Sequence, residues 1–347
     1  DTATTEIYTL SLHDALPIFS LGNPSVPAPD AINETAIRIL KEQPELIHCY
    51  TSAQGDAASR QRFADSLNRR FQGNYTADQF YITVGAAASL CCVFNGLTCP
   101  GDEFIVFAPY FPEYRPYVQG AGLRLSVVPA DVDSFQINFQ ALEERLNPAV
   151  TAVLVNSPNN PSGMVLSSAT LTRLAALLEE KQHQFGHPIY LISDEPYREL
   201  LFTGTEETYP ARFYDNTITC YSFSKSLSLP GERIGYLAVN PKAEQALTIA
   251  EVCPQVSRTI GCNGTSTLMQ LTVGRCADLT SQLEVYERNK DRLFAALTEY
   301  GFSCVEPGGS FYMFPRSLEP DDVAFCKKAT ELDLFLEIGR ASCRERG

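Results

Sequence analysis

The stretch T-I-T-C-Y-S-F-S-K-S-L-S-L-P-G-E-R-I-G-Y-L-A-V, residues 217–239, sets two apolar, β-branched runs on either side of a serine-rich turn. Each run has the length and composition of a buried strand. Lys225 and Arg233, one amine and one fixed cation, lie between them. Further runs of the same kind occur at 80–84, 103–107, 123–128, 151–155 and 189–192. Amphipathic stretches at 86–97, 168–184 and 242–252 separate several of these and carry the helical period. Strands alternating with helices predict an α/β fold, a mostly parallel central sheet flanked by helices. Beyond Cys262 the pattern turns helical, with 283–300 the longest such stretch. Residues 301–314 then read as a strand pair in a smaller α+β domain.

Composition narrows the function classes. The chain has 347 residues, 44% of them apolar, enough for a large core and a second domain. A net charge of -14 and a pI near 4.8 argue against a nucleic-acid surface, which relies on clustered Lys and Arg. No apolar run approaches a membrane span and no secretory leader is recognisable, so a cytoplasmic protein is expected. The 11 cysteines show no C-x-x-C pair, and His48, His183 and His187 lack ligand spacing, so no metal site and no disulfide frame are expected.

The two ends read differently. Residues 12–18, L-H-D-A-L-P-I, and 338–343, I-G-R-A-S-C, admit codons that are antisense to each other one base out of frame. Both ends resemble translated sequencing adaptor, so 1–18 and 337–347 are expected to be read-through and play no part in the fold. Arg340, in G-R-A-S, belongs to that tail.

In an open α/β sheet, ligands gather beyond the carboxyl ends of the strands, and the distinctive polar residues fall there. T-V-G-A-A-A-S-L, 83–90, ends a strand at Gly85 and opens a helix whose first N–H groups, at Ala86 and Ala87, suit an anion; a plain glycine turn is the other reading. V-N-S-P-N-N-P-S-G, 155–163, is an unusual loop if reversal is its only task. S-D-E-P-Y, 193–197, sets Asp194 at a buried strand end, where it needs a partner or serves as a helix cap.

N-N-P-S-G, S-D-E-P-Y and S-F-S-K with an arginine eight residues on stand in the order and spacing of one family. The chain resembles a fold-type I, class I/II aminotransferase of the aspartate aminotransferase superfamily, over nearly all of 19–336. That resemblance implies pyridoxal 5′-phosphate. Lys225 would form the internal aldimine and shuttle the proton at the substrate. Asp194 would keep the ring nitrogen protonated, and Asn160 and Tyr197 would bond the ring's phenolic oxygen. Arg233, Ser222 and the N–H groups at Gly85, Ala86 and Ala87 would hold the phosphate. Phe111, in A-P-Y-F-P-E-Y, would stack on the ring or serve as a core aromatic. Tyr50, in H-C-Y-T-S-A-Q-G-D, would reach the phosphate of a partner subunit, which implies a homodimer. Gly22 and Asn160 would border the substrate.

The implied reaction moves an amino group between an L-amino acid, aspartate or another common one, and a 2-oxo acid. A C–S β-lyase of the same fold shares every cofactor residue and stays open, as does an inactive truncated fragment. A regulator with an aminotransferase-like domain is disfavoured by the intact lysine and the lack of a basic arm. The resemblance divides the chain into an N-terminal segment and active-site loop (19–45), a large cofactor domain (46–255), and an interdomain helix with a shortened small domain (256–336). The family's α-carboxylate arginine has no counterpart ahead of the adaptor-like tail, so cofactor binding with poor turnover is expected. Arg258 reads as a surface residue or as a cation offered to an acidic substrate.

Overall fold

The computed structural model describes residues 22–336. The adaptor-like ends, with Arg340, lie outside the described residues. Seven strands form one sheet: β1 Phe80–Thr83, β2 Glu103–Phe107, β3 Arg124–Val128, β4 Val150–Asn156, β5 Tyr190–Asp194, β6 Thr217–Ser222 and β7 Gly235–Val239. Their order is β1-β7-β6-β5-β4-β2-β3, with β7 antiparallel to both neighbours and every other pair parallel. Every residue of β1, β5, β6 and β7 is buried. Helices cover both faces of such a sheet, which is why these strands read as continuous apolar runs instead of alternating ones.

The Ser168–Phe185 helix shows how sequence sets one of the covering elements. Leu171, Leu174, Ala175 and Leu178 recur at helical spacing and are buried against the sheet. Ser167 caps the start by accepting from the Thr170 N–H, and Gly186, at φ 77°, ends it in the left-handed conformation. Leu174→Ala would leave a cavity costing about 2–5 kcal/mol.

The observed strands lie within two residues of the expected ones. Two elements differ. The expected helix at 242–252 is Ala246–Thr259 and runs through Pro254. Proline removes one intrahelical bond, but Ile249, Ala250, Cys253, Pro254 and Ser257 form one buried stripe that holds the helix together. The strand pair expected at 301–314 does not form. Pro307, Gly308 and Gly309 interrupt the apolar alternation, and the backbone there bonds elsewhere. Gly308 and Gly309 donate to the Gly163 carbonyl, Ser310 donates to that of Leu200, and Gly309 forms an isolated bridge with Leu201. This segment is thereby tied to the loops after β4 and β5.

Candidate active site

Strand register brings the predicted residues to one edge of the sheet. Asn156 pairs with Asp194, and Asp194 with Cys220, so the carboxyl ends of β4, β5 and β6 are level. Ser222 at the end of β6 pairs with Gly235, which pairs in turn with Thr83 at the end of β1. Loops carrying Asn160, Tyr197, Lys225 and Gly85 all leave from this edge.

Asp194 is buried. Its Oδ2 accepts from the Tyr114 hydroxyl at 2.6 Å, and its backbone carbonyl accepts from Asn156 Nδ2 at 2.8 Å. Its Oδ1 is buried without a hydrogen-bond partner among the described residues. Burial pushes the carboxyl up to about 7; the Tyr114 bond pulls against that, and neighbouring Glu195 adds to it. A buried carboxylate oxygen lacking a donor is costly, and a ligand N–H would satisfy it.

The loop after β4 is fixed by its asparagines. Asn156 Oδ1 accepts from the Asn160 N–H at 2.6 Å. Asn159 Oδ1 accepts from the N–H and hydroxyl of Ser162, and its amide reaches the Pro109 carbonyl at 3.3 Å. Asn160 is left facing the Tyr197 hydroxyl at 3.5 Å, which lies 3.1 Å from that of Tyr312.

Lys225 sits in a single helical turn, Phe223–Ser226, capped by the Ser222 hydroxyl, which accepts from the Ser224 N–H. Its Nζ donates to the Gly22 carbonyl and lies 5.5 Å from the Phe311 ring centre. Burial, then the charge of Arg233, pulls the amine down to about 8. A side chain at Gly22 would displace the Tyr312 hydroxyl, which lies where its Cβ would be. Gly85, at φ 85°, opens the Ala86–Gly96 helix beside Arg233, whose Nη2 would lie 3.1 Å from a Cβ there. The first-turn N–H groups of that helix, at Ala86 and Ala87, have no carbonyl one turn back and point out of its end.

Phe111 is half-buried and meets Tyr114 edge-on at 5.6 Å. Tyr50 stands apart from the others, fully exposed on the single chain at 104%. The Arg258 side chain donates to Gln255, its neighbour on the helix surface, at 3.4 Å. Sequence reasoning missed Tyr114, Phe311 and Tyr312. Tyr114 stood three residues past Phe111 in the quoted aromatic run. The two others lay in the segment misread as strands. Among the described residues, no cluster of His, Cys, Asp and Glu is placed to hold a metal, and no helix is long and apolar enough to cross a membrane.

An amine, a buried carboxylate and an arginine beside a helix start thus gather at the carboxyl edge of a mostly parallel sheet, where an enzyme of this architecture binds its ligand. A family model described as aminotransferase class I and II matches residues 18–337. Aspartate aminotransferase of Thermotoga maritima is 31% identical over 313 residues, 89% of this chain and 79% of that protein. Aspartate/prephenate aminotransferase of Thermus thermophilus is 31% identical over 325 residues, 92% and 81% of the two chains. Among solved structures, an amino transferase from Eubacterium rectale superposes with a TM-score of 0.91 at 44% identity, covering 93% of this chain and 82% of that one. Aspartate aminotransferase from Thermotoga maritima superposes at 0.83 and 30% identity, covering 93% and 84%. The chain belongs to the class I and II aminotransferases and is a transaminase.

Proposed function

We propose that this aminotransferase moves the amino group of aspartate, or of another common L-amino acid, to a 2-oxo acid, with Lys225 as the covalent attachment point of the cofactor. The observation that carries the reading is the pairing of an amine lowered to about 8 with a buried carboxylate whose Oδ1 lacks a donor, on adjacent strand ends. The residues fit pyridoxal phosphate: Asp194 Oδ1 would accept a ring N–H, and Gly85, lacking a side chain, lets the Arg233 guanidinium lie against the helix start where an anion would bind. When bound, that group supplies an electron-accepting ring that stabilises negative charge at the substrate Cα.

The chain's own residues do the rest. Asp194 holds its negative charge beside the ring nitrogen. Asn160 and Tyr197 would hydrogen-bond the phenolic oxygen, and Phe111 would stack against the ring. Arg233, the Ser222 hydroxyl and the N–H groups of Gly85, Ala86 and Ala87 bind the phosphate. Lys225 Nζ, near half-neutral at pH 8, takes the proton from the substrate Cα and passes it on. Gly22 and Asn160 border the substrate. Tyr50 completes the phosphate site of a second copy, so the working form is a homodimer. The names of the two aspartate aminotransferase relatives support the substrate class. The ten free thiols among the described residues support a cytoplasmic setting.

The purified chain, given cofactor, aspartate and 2-oxoglutarate, is expected to form glutamate only when both substrates are present. Release of pyruvate and ammonia from a cysteine-like substrate without any oxo-acid acceptor would replace this reading with a β-lyase.

A further inference from the structure

The segment that supplies Asp194 carries on into a buried ion cluster for which the chemistry above has no use. Glu195 and Arg198 are 1% and 4% exposed. Arg198 donates to Glu195 at 2.9 Å, to Glu199 at 3.1 Å and to the Tyr236 hydroxyl at 2.8 Å. Arg70 donates to Glu199 from outside at 2.7 Å, so two carboxylates face two guanidinium groups. Such a cluster is expensive to bury and keeps its geometry only if each member is satisfied.

Its hydrogen-bonded link toward the lysine, among the described residues, runs through Tyr221. The Arg198 guanidinium lies over the Tyr221 ring at 4.3 Å. The Tyr221 oxygen is 2.8 Å from Glu199 Oε2 and 2.8 Å from Ser226 Oγ. A phenol has one proton and a carboxylate only accepts, so Tyr221 donates to Glu199 and the Ser226 hydroxyl donates to Tyr221. Ser226 is the residue after Lys225 and closes the same helical turn. The Ser226 carbonyl is also held, by the Ser281 N–H at 2.7 Å.

We infer that Tyr221 is a positioning residue for Lys225. Its hydroxyl ties the turn that carries the amine to the rigid cluster that continues from Asp194, and so fixes the amine relative to the carboxylate. A four-residue turn has little stability of its own, so its orientation depends on such ties. The inference rests on Lys225 being the attachment point.

The test is the rate at which apoprotein mixed with pyridoxal phosphate acquires a borohydride-trapped label at Lys225, read by mass spectrometry, alongside the melting temperature. Tyr221→Phe and Ser226→Ala are each expected to slow labelling about tenfold, the worth of one well-placed hydrogen bond, and the double variant to be no slower than either single one. Tyr75→Phe removes another buried hydroxyl, the one 2.9 Å from Tyr209, without touching Ser226. It is expected to lower the melting temperature and leave the rate unchanged. Labelling of both variants within twofold of wild type, additive effects in the double variant, or equal slowing by Tyr75→Phe would overturn the inference. Should Tyr221→Phe fail to fold, Ser226→Ala against Tyr75→Phe decides alone. Wild-type label at another lysine would instead overturn the attachment reading.

Discussion

Burial pulls the two ionisable groups at the centre of the site in opposite directions. Asp194 binds its proton more tightly in the folded protein than in the unfolded chain. Its contribution to stability is therefore full below about pH 4 and is lost as pH rises to about 7. Lys225 binds its proton less tightly when folded, so stability recovers as pH rises from about 8 toward 10.5. Asp194→Asn keeps an acceptor for Tyr114 and removes the charge. The apoprotein variant should therefore lose less melting temperature between pH 5 and pH 8 than the wild type, while binding pyridoxal phosphate more weakly. Equal losses in thermal melts at the two pH values would show that Asp194 does not carry this cost. Lys225→Ala should lower the transamination rate at least about a thousandfold, as loss of a covalent catalyst does. Rates measured with and without an added small amine check this, since partial rescue by the amine is the expected signature. Most of these residues were legible because each sits in a local motif. Tyr114 was not, because its meaning comes from a contact to Asp194 across 80 positions in the chain.

At the scale of elements, the turn from β1 into the Ala86–Gly96 helix illustrates what local sequence specifies. A positive φ favours glycine at position 85, and a side chain there would also push against the Arg233 guanidinium. Gly85→Ala should cost about 1–2 kcal/mol of stability from backbone strain. It should also weaken cofactor binding by displacing Arg233, which a fluorescence titration with pyridoxal phosphate would detect; unchanged affinity would place the phosphate elsewhere. All seven strands were legible: burial on both faces writes β1, β5, β6 and β7 as continuous apolar runs, and β3, exposed at Arg124, still shows a short β-branched run. The segment 301–314 was not. Its alternation of apolar and polar residues is strand-like, but the backbone partners of Gly308, Gly309 and Ser310 are Gly163 and Leu200, more than a hundred residues away. The seating of Phe311 beside Lys225 and of Tyr312 beside Tyr197 was likewise hidden by separation along the chain.

For the molecule as a whole, the exposed Tyr50 makes the homodimer testable. A Tyr50→Ala chain keeps its own lysine and a Lys225→Ala chain keeps its own tyrosine, so a mixed dimer contains one intact composite site. Refolding the two inactive variants together should restore about a quarter of the wild-type rate if subunits exchange at random across a twofold interface. No recovery, together with a monomeric mass by light scattering, would confine each site to one chain. The proposed attachment of the cofactor at Lys225 follows from the strand register that sets the turn carrying this amine at the same sheet edge as Asp194. Borohydride reduction of the purified protein with pyridoxal phosphate, followed by peptide mapping, tests it most directly. A single pyridoxyl label on Lys225 is the predicted result; no label, or label spread over surface lysines, would contradict it.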